Sequence, residues 1–214
     1  MNPDYAIVLN FKLSDQDEPD FDFLVKTARN IGVRAVSGDE RLKNACEKYT
    51  IFYTTEDSGQ DLTDDNVITS MLENRKNGRR TVINIPIQNG NFSEDAQRML
   101  DTINSWMHMY GHAFNDGTPS DLTINQDGFV LKNRHAAYQQ YVFLKTPLPK
   151  EIIVSGLKQE PNRVEWIQNR VDLAFNFNDE QLEIVLSEPE KDFPWHVLRI
   201  QEHRPEDDLA ETKY

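Results

Sequence analysis

The sequence predicts an α/β half followed by an all-β half. Over residues 1–117, apolar β-rich runs alternate with amphipathic helical stripes, the order of a mostly parallel sheet with crossover helices. Over residues 121–202 the period changes to short β-rich runs separated by Pro, Gly, Asn and Asp, the pattern of an antiparallel β-sandwich. With 214 residues, 38% of them hydrophobic, the chain has the means to build a core in each half.

The first strand is Ala6–Leu13, an apolar run followed by the acidic loop Ser14–Pro19. Asp20 is placed to cap a helix whose face is Phe21, Leu24, Val25, Ala28 and Ile31, ended by Gly32. Val33–Val36 is the second strand. Ser37-Gly38-Asp39 then forms a turn and N-cap for a helix carrying Leu42, Ala45, Cys46 and Tyr49. Thr50–Thr54 is β-rich, Thr55–Asp64 reads as a long polar loop, and Val67, Ile68, Met71 and Leu72 mark a third helix stopping at Gly78. The fourth unit begins with the strand Val82–Ile87, interrupted late by Pro86. An Asn89-Gly90-Asn91 turn follows, with Ser93 as N-cap and Glu94 and Asp95 suiting the helix dipole. Ala96, Met99, Leu100, Ile103, Trp106, Met107 and Tyr110 recur at helical spacing, and Gly111 reads as the stop. Asn115–Ser120 is the expected linker. In the second half, strands are expected near 129–131, 137–146, 151–154, 163–166, 171–177, 181–186 and 195–200, ahead of a charged tail at 203–214.

Composition narrows the function. A net charge of −13 with no basic stripe argues against nucleic acid and anionic membrane surfaces as partners. No run approaches the roughly 20 apolar residues of a membrane span, and MNPDYAIVLNF lacks the flanks of a signal peptide, so a cytoplasmic location is expected. The single cysteine, Cys46, excludes an internal disulfide and reads as a core thiol. No Gly-rich phosphate loop or Ser-His-Asp arrangement stands out, and no cofactor is expected. His108 and His112 have the i, i+4 spacing of a helical metal pair, but a helix ending at Gly111 separates them and no metal site is expected. Trp166 and Trp195 lie in expected strands, where aromatic residues usually build core, with sugar stacking as the alternative role.

The segment Thr81–Pro119 resembles the one that closes the catalytic barrel of retaining α-L-fucosidases. There an apolar "LLLNIGP" strand, an Asn/Asp-Gly turn and a "GEWLKVNGEAIYGT" helix exit precede a C-terminal β domain. Asn84, Pro86, Gly90, Trp106 and Gly111 match in order; Ile85-Pro86 replaces the family's Gly-Pro, and Tyr110-Gly111-His112 its Asn-Gly-Glu. The runs Tyr141–Leu144, Ile152–Leu157, Val164–Trp166, Leu182–Leu186 and Val197–Ile200 follow the order of the family's sandwich strands, and Phe23–Val36 is similar to its first helix-strand join. The resemblance implies a shortened TIM-barrel-like or open three-layer α/β domain, and a carbohydrate ligand.

A retaining glycosidase needs two carboxyls about 5 Å apart at the C-terminal ends of its strands, and a full barrel takes about 250 residues. Here the first 117 residues suffice for four units, Ser37-Gly38-Asp39-Glu40 stands where the family carries "HHDGF", and its "WFDG" nucleophile strand has no counterpart. The acids at expected strand ends are the remaining candidates: Asp39, Asp15 and Glu56 for catalysis, with Asp17, Glu40 and Asp57 for substrate binding. Caps and solvated loops in a chain with 36 acids explain the same positions. Three functions stay open: a truncated fucosidase relative without hydrolysis, a glycosidase completed by a second subunit in a homo-oligomer, and a protein-interaction or sugar-binding module.

Overall fold

The computed structural model describes residues 5–13 and 18–203. The chain forms two compact units, Met1–Asn115 and Asp116–Tyr214.

In the first unit, β1 (Ile7–Lys12), β2 (Ala35–Ser37), β3 (Phe52–Tyr53), β4 (Thr81–Gln88) and β5 (Asn91–Phe92) form one sheet in the order β3-β2-β1-β4-β5. The pairs among β1 to β4 are parallel, and β5 folds back antiparallel on β4. The sheet is open, since no ladder joins β3 to β5 among the described residues. Its helices are α1 (Phe21–Asn30), α2 (Leu42–Tyr49), α3 (Val67–Lys76) and α4 (Glu94–Asp116). The Asp20 side chain accepts from the Phe23 N–H at 3.1 Å, capping α1. Gly32, at φ 84°, ends it, with Val33 N–H returning to Ala28 O at 3.0 Å. Ser93 Oγ accepts from Ala96 N–H at the start of α4. Phe92 lies between Phe11 of β1 and Phe23 of α1, at 6.3 and 5.5 Å, so α1 covers the Phe11 face of the sheet. Successive strand residues alternate in face, which puts Val8, Ala35 and Val82 on the opposite side, in a small cluster with Tyr5.

Two expectations change. Gly111 does not stop α4, which runs to Asp116. A Cβ on Gly111 would sit 3.2 Å from Met107 Cε, so this glycine serves close packing. The expected linker is also structured: β6 (Gly117–Pro119) pairs with a strand of the second unit.

That unit has two antiparallel sheets. β7 (Thr123–Ile124), β10 (Glu151–Ser155), β12 (Phe175–Asn178) and β13 (Gln181–Val185) form one, in the order β12-β13-β10-β7. With β8 (Gly128–Asn133), β9 (Gln139–Lys145), β11 (Arg163–Trp166) and β14 (Trp195–Gln201), β6 completes the other, ordered β11-β14-β9-β8-β6. Val142, Leu144, Trp166, Leu198 and Ile200 of one sheet share a core with Ile152, Val154, Leu182 and Ile184 of the other. Trp166 and Trp195 are both fully buried. Apart from His203, the expected charged tail lies outside the described residues.

Candidate functional site

Ligands of a parallel sheet bind at the C-terminal ends of its strands, so these ends are the candidate site. Asn10 is in register with Ser37 on one side and Asn84 on the other, forming a polar row across β2, β1 and β4. Asn10 Nδ2 donates to Asn84 Oδ1 at 3.0 Å and to the carbonyl of Asp57 at 2.9 Å. Asn84 Nδ2 donates to Gly59 O at 3.0 Å and to Asp61 Oδ1 at 2.8 Å, and Lys12 Nζ reaches Asp57 O at 3.0 Å.

These bonds fix the path of the chain between β3 and α3. Thr54 N–H bonds Val36 O, still on the β3 side of the sheet. Gln60 then pairs with Ile83 on the outer edge of β4, its N–H on Val82 O at 2.8 Å and its carbonyl receiving Asn84 N–H at 2.9 Å. In between, residues 54–60 lie across the polar row, on the face turned away from α1. The row is closed by the protein's own backbone. Beneath this crossover, Asn10 Oδ1 and Ser37 Oγ are buried with no hydrogen-bond partner among the described residues.

The candidate acids are distributed around the crossover. Asp39 takes two bonds from the Arg41 guanidinium, at 3.0 and 2.8 Å, and one from its N–H at 2.8 Å; the side-chain bonding leads in holding its carboxyl below the usual carboxylate range. It closes a turn before α2 and is not the helix's cap residue. Glu56 pairs with Arg80 at 3.2 Å, and Glu40 with Lys43 at 3.1 Å. Asp57 contributes its backbone carbonyl to the row while the residue itself is exposed. Asp15 and Asp17 lie outside the described residues. Each described catalytic candidate is thus held by its own arginine. No group of three or more His, Cys, Asp or Glu among the described residues is arranged to hold a metal, and His108 and His112, now on one continuous helix, are both exposed.

Sequence reasoning missed the residues that organise this face: Asn10, Asn84, Arg80 and Asp61. A signal was present, because Asn10 and Asn84 each interrupt an apolar strand run, and a polar side chain there needs a partner. Beyond Asn84, a cleft of about 650 Å³ opens between the Asp61–Asp65 loop and the start of α4, lined by five carboxylates including Asp64, Asp65 and Glu94. Among the described residues lining it, Arg98 is the single cation, and it bonds both Glu94 and Asp95. Among the described residues no helix is long and apolar enough to cross a membrane.

Neither protein-family models nor curated proteins give a match to this chain. Solved structures do. An α-L-fucosidase of glycoside hydrolase family 29 from Bacteroides thetaiotaomicron is similar over 91% of this chain and 42% of its own, at 14% identity and a TM-score of 0.57. A trapped covalent intermediate of such an enzyme from the same organism gives 90%, 42%, 16% and 0.56. A Thermotoga maritima α-fucosidase in complex with a mechanism-based inhibitor gives 85%, 56%, 13% and 0.53. The chain therefore shares the fold of α-L-fucosidases over most of its length, and it spans about half the length of these proteins.

Proposed function

We propose that this chain uses a shortened α-L-fucosidase fold to bind and not to hydrolyse, and that carbohydrate is the ligand class its ancestry favours. One observation carries the reading: backbone from residues 54–60 occupies the strand-end face, held there by Asn10 and Asn84. Retaining hydrolysis needs two carboxyls about 5 Å apart with a sugar between them. Asp39 and Glu56 instead each sit against an arginine, Arg41 and Arg80.

The test is hydrolysis of an aryl α-L-fucoside by the purified chain, alongside its Asp39→Asn and Glu56→Gln variants and a glycan-binding screen. Release at the buffer rate by all three, with saturable glycan binding, is the expected result. Release proportional to protein concentration and lost in either variant would overturn it.

A second reading, a hydrolase completed by another copy of the chain, is favoured by the open edge at β3, where Phe52 is 45% exposed. It requires both a dimer in solution and fucoside turnover that rises with the dimer fraction.

A further inference from the structure

A second cavity of the first unit lies at the other end of the sheet from the closed polar row. It has a volume of about 870 Å³ and opens at the N-terminal ends of β1, β2 and β3, beneath the C-terminal ends of α1 and α2 and the last turns of α4. That is within the size range of small-molecule sites. Three features bear on what it would hold.

The first is an aromatic wall. Tyr5 and Phe52 stack at 4.8 Å with an interplanar angle of 28°, and Phe52 keeps 45% of its surface exposed. A large apolar side chain left open on a cavity wall offers a flat body a surface to cover.

The second is local charge. Among the described residues lining the cavity, Arg29 and Arg34 stand with one carboxylate, Glu47, in a chain whose net charge is −13, and Arg34 also makes a contact within the protein. Several carbonyls at the C-terminal ends of α1 and α2 are capped by backbone N–H groups. Gly32 N–H bonds Arg29 O, Val33 N–H bonds Ala28 O, and Ile51 N–H bonds Cys46 O, each at 3.0 Å.

The third is the space itself, which depends on two glycines. A Cβ on Gly32 or Gly111 would come within 3.3 or 3.2 Å of Met107 Cε, so larger residues there would push into the cavity floor.

From these we infer that the cavity is a binding site for a small organic anion with a flat apolar body, an aryl carboxylate, sulfonate or phosphate. Its ring lies along Tyr5 and Phe52, and its charged group faces Arg29 and Arg34. This site is independent of the strand-end face and of whether that face binds sugar.

Anilinonaphthalene sulfonate serves as the probe, with the neutral phenylnaphthylamine as its uncharged counterpart. The folded chain is expected to bind the sulfonate saturably at one site, with the neutral compound about tenfold weaker, as loss of a charge-assisted contact implies. The double variant Arg29→Glu with Arg34→Glu, and the cavity-filling Gly111→Leu, are each expected to weaken the sulfonate about tenfold, while the surface charge change Lys76→Glu leaves it unaltered. Cooperative melting of each variant shows that it is folded; should one fail to fold, the charged-against-neutral comparison on the unaltered chain decides. Absence of saturable binding, equal affinity for the two compounds, or indifference of folded variants overturns the proposal.

Discussion

Asn10 and Asn84, 74 positions apart, share a 3.0 Å hydrogen bond between in-register residues of β1 and β4, and the same two amides hold Asp57 and Gly59 of the crossover. Replacing Asn84 by alanine removes the donor to both Gly59 O and Asp61. The expected loss is about 1–3 kcal/mol of stability, the cost of leaving part-buried polar groups unpaired. Urea unfolding measures it, and faster proteolytic cutting within residues 54–60 would locate it.

Gly59 is as tightly placed from the other side. A Cβ there would run into Asn84 Oδ1, with the Asn84 backbone nitrogen at 3.1 Å. Gly59→Ala should therefore destabilise the chain, and less so when Asn84 is already alanine. A double-mutant cycle giving strictly additive losses would show that the two residues do not meet.

In the second unit, Glu165 is 1% exposed, accepts hydrogen bonds from Arg170 at 2.8 Å and from Arg199, and is ion-paired with Arg163 at 3.2 Å. Arg163 and Arg170 are exposed and Arg199 keeps 17% of its side-chain surface, so Glu165→Gln takes the counter-charge mainly from Arg199, and about 1–3 kcal/mol of destabilisation is expected. Thermal or urea unfolding of the variant reads this directly.

His196 in β14 is 1% exposed, and the rings of Trp166 and Phe193 lie 6.1 and 6.4 Å from it. Burial pushes its pKa below the ordinary value, against smaller opposing pulls from Asp192 and from a hydrogen bond with the Phe193 backbone. The imidazole is thus neutral when folded and takes up its proton more readily when unfolded. Its contribution to stability is complete above the unfolded pKa of about 6.5 and is lost as pH falls from there toward the lower folded value. His196→Leu should flatten that part of the stability-pH curve relative to the unaltered chain.

The Cys46 thiol is 2% exposed, and burial raises its pKa to about 11. At about pH 8 it then holds far less thiolate than an ordinary thiol of pKa about 8.5, and alkylation should be slower in the folded chain. Iodoacetamide labelling followed by mass measurement tests it, with the urea-unfolded chain as reference.

The readable parts of this molecule were those that local chemistry determines. The Asp20 cap, the Gly32 exit and the apolar stripe of α4 each follow from a few adjacent residues. Gly111 misled because a glycine in a helix has the same spelling whether it ends the helix or admits a neighbour, here Met107. The crossover was read only as a polar loop. Its course depends on backbone bonds from Gln60 to β4 and on two amides far apart in the chain, and neither leaves a periodic mark. The acids at strand ends were visible as acids. Arg80, which holds Glu56, lies 24 positions away and was not visible as its partner.

The strand order β3-β2-β1-β4-β5 also bears on synthesis. β1 emerges first yet occupies the middle of the sheet, and one of its two neighbours begins only at Thr81. Until then a nascent chain presents the bare edge of an apolar strand, open to pairing with any other extended segment nearby. A ribosome stalled at Arg80 would hold a sheet unfinished at its centre, and truncated products ending before β4 should be the aggregating species.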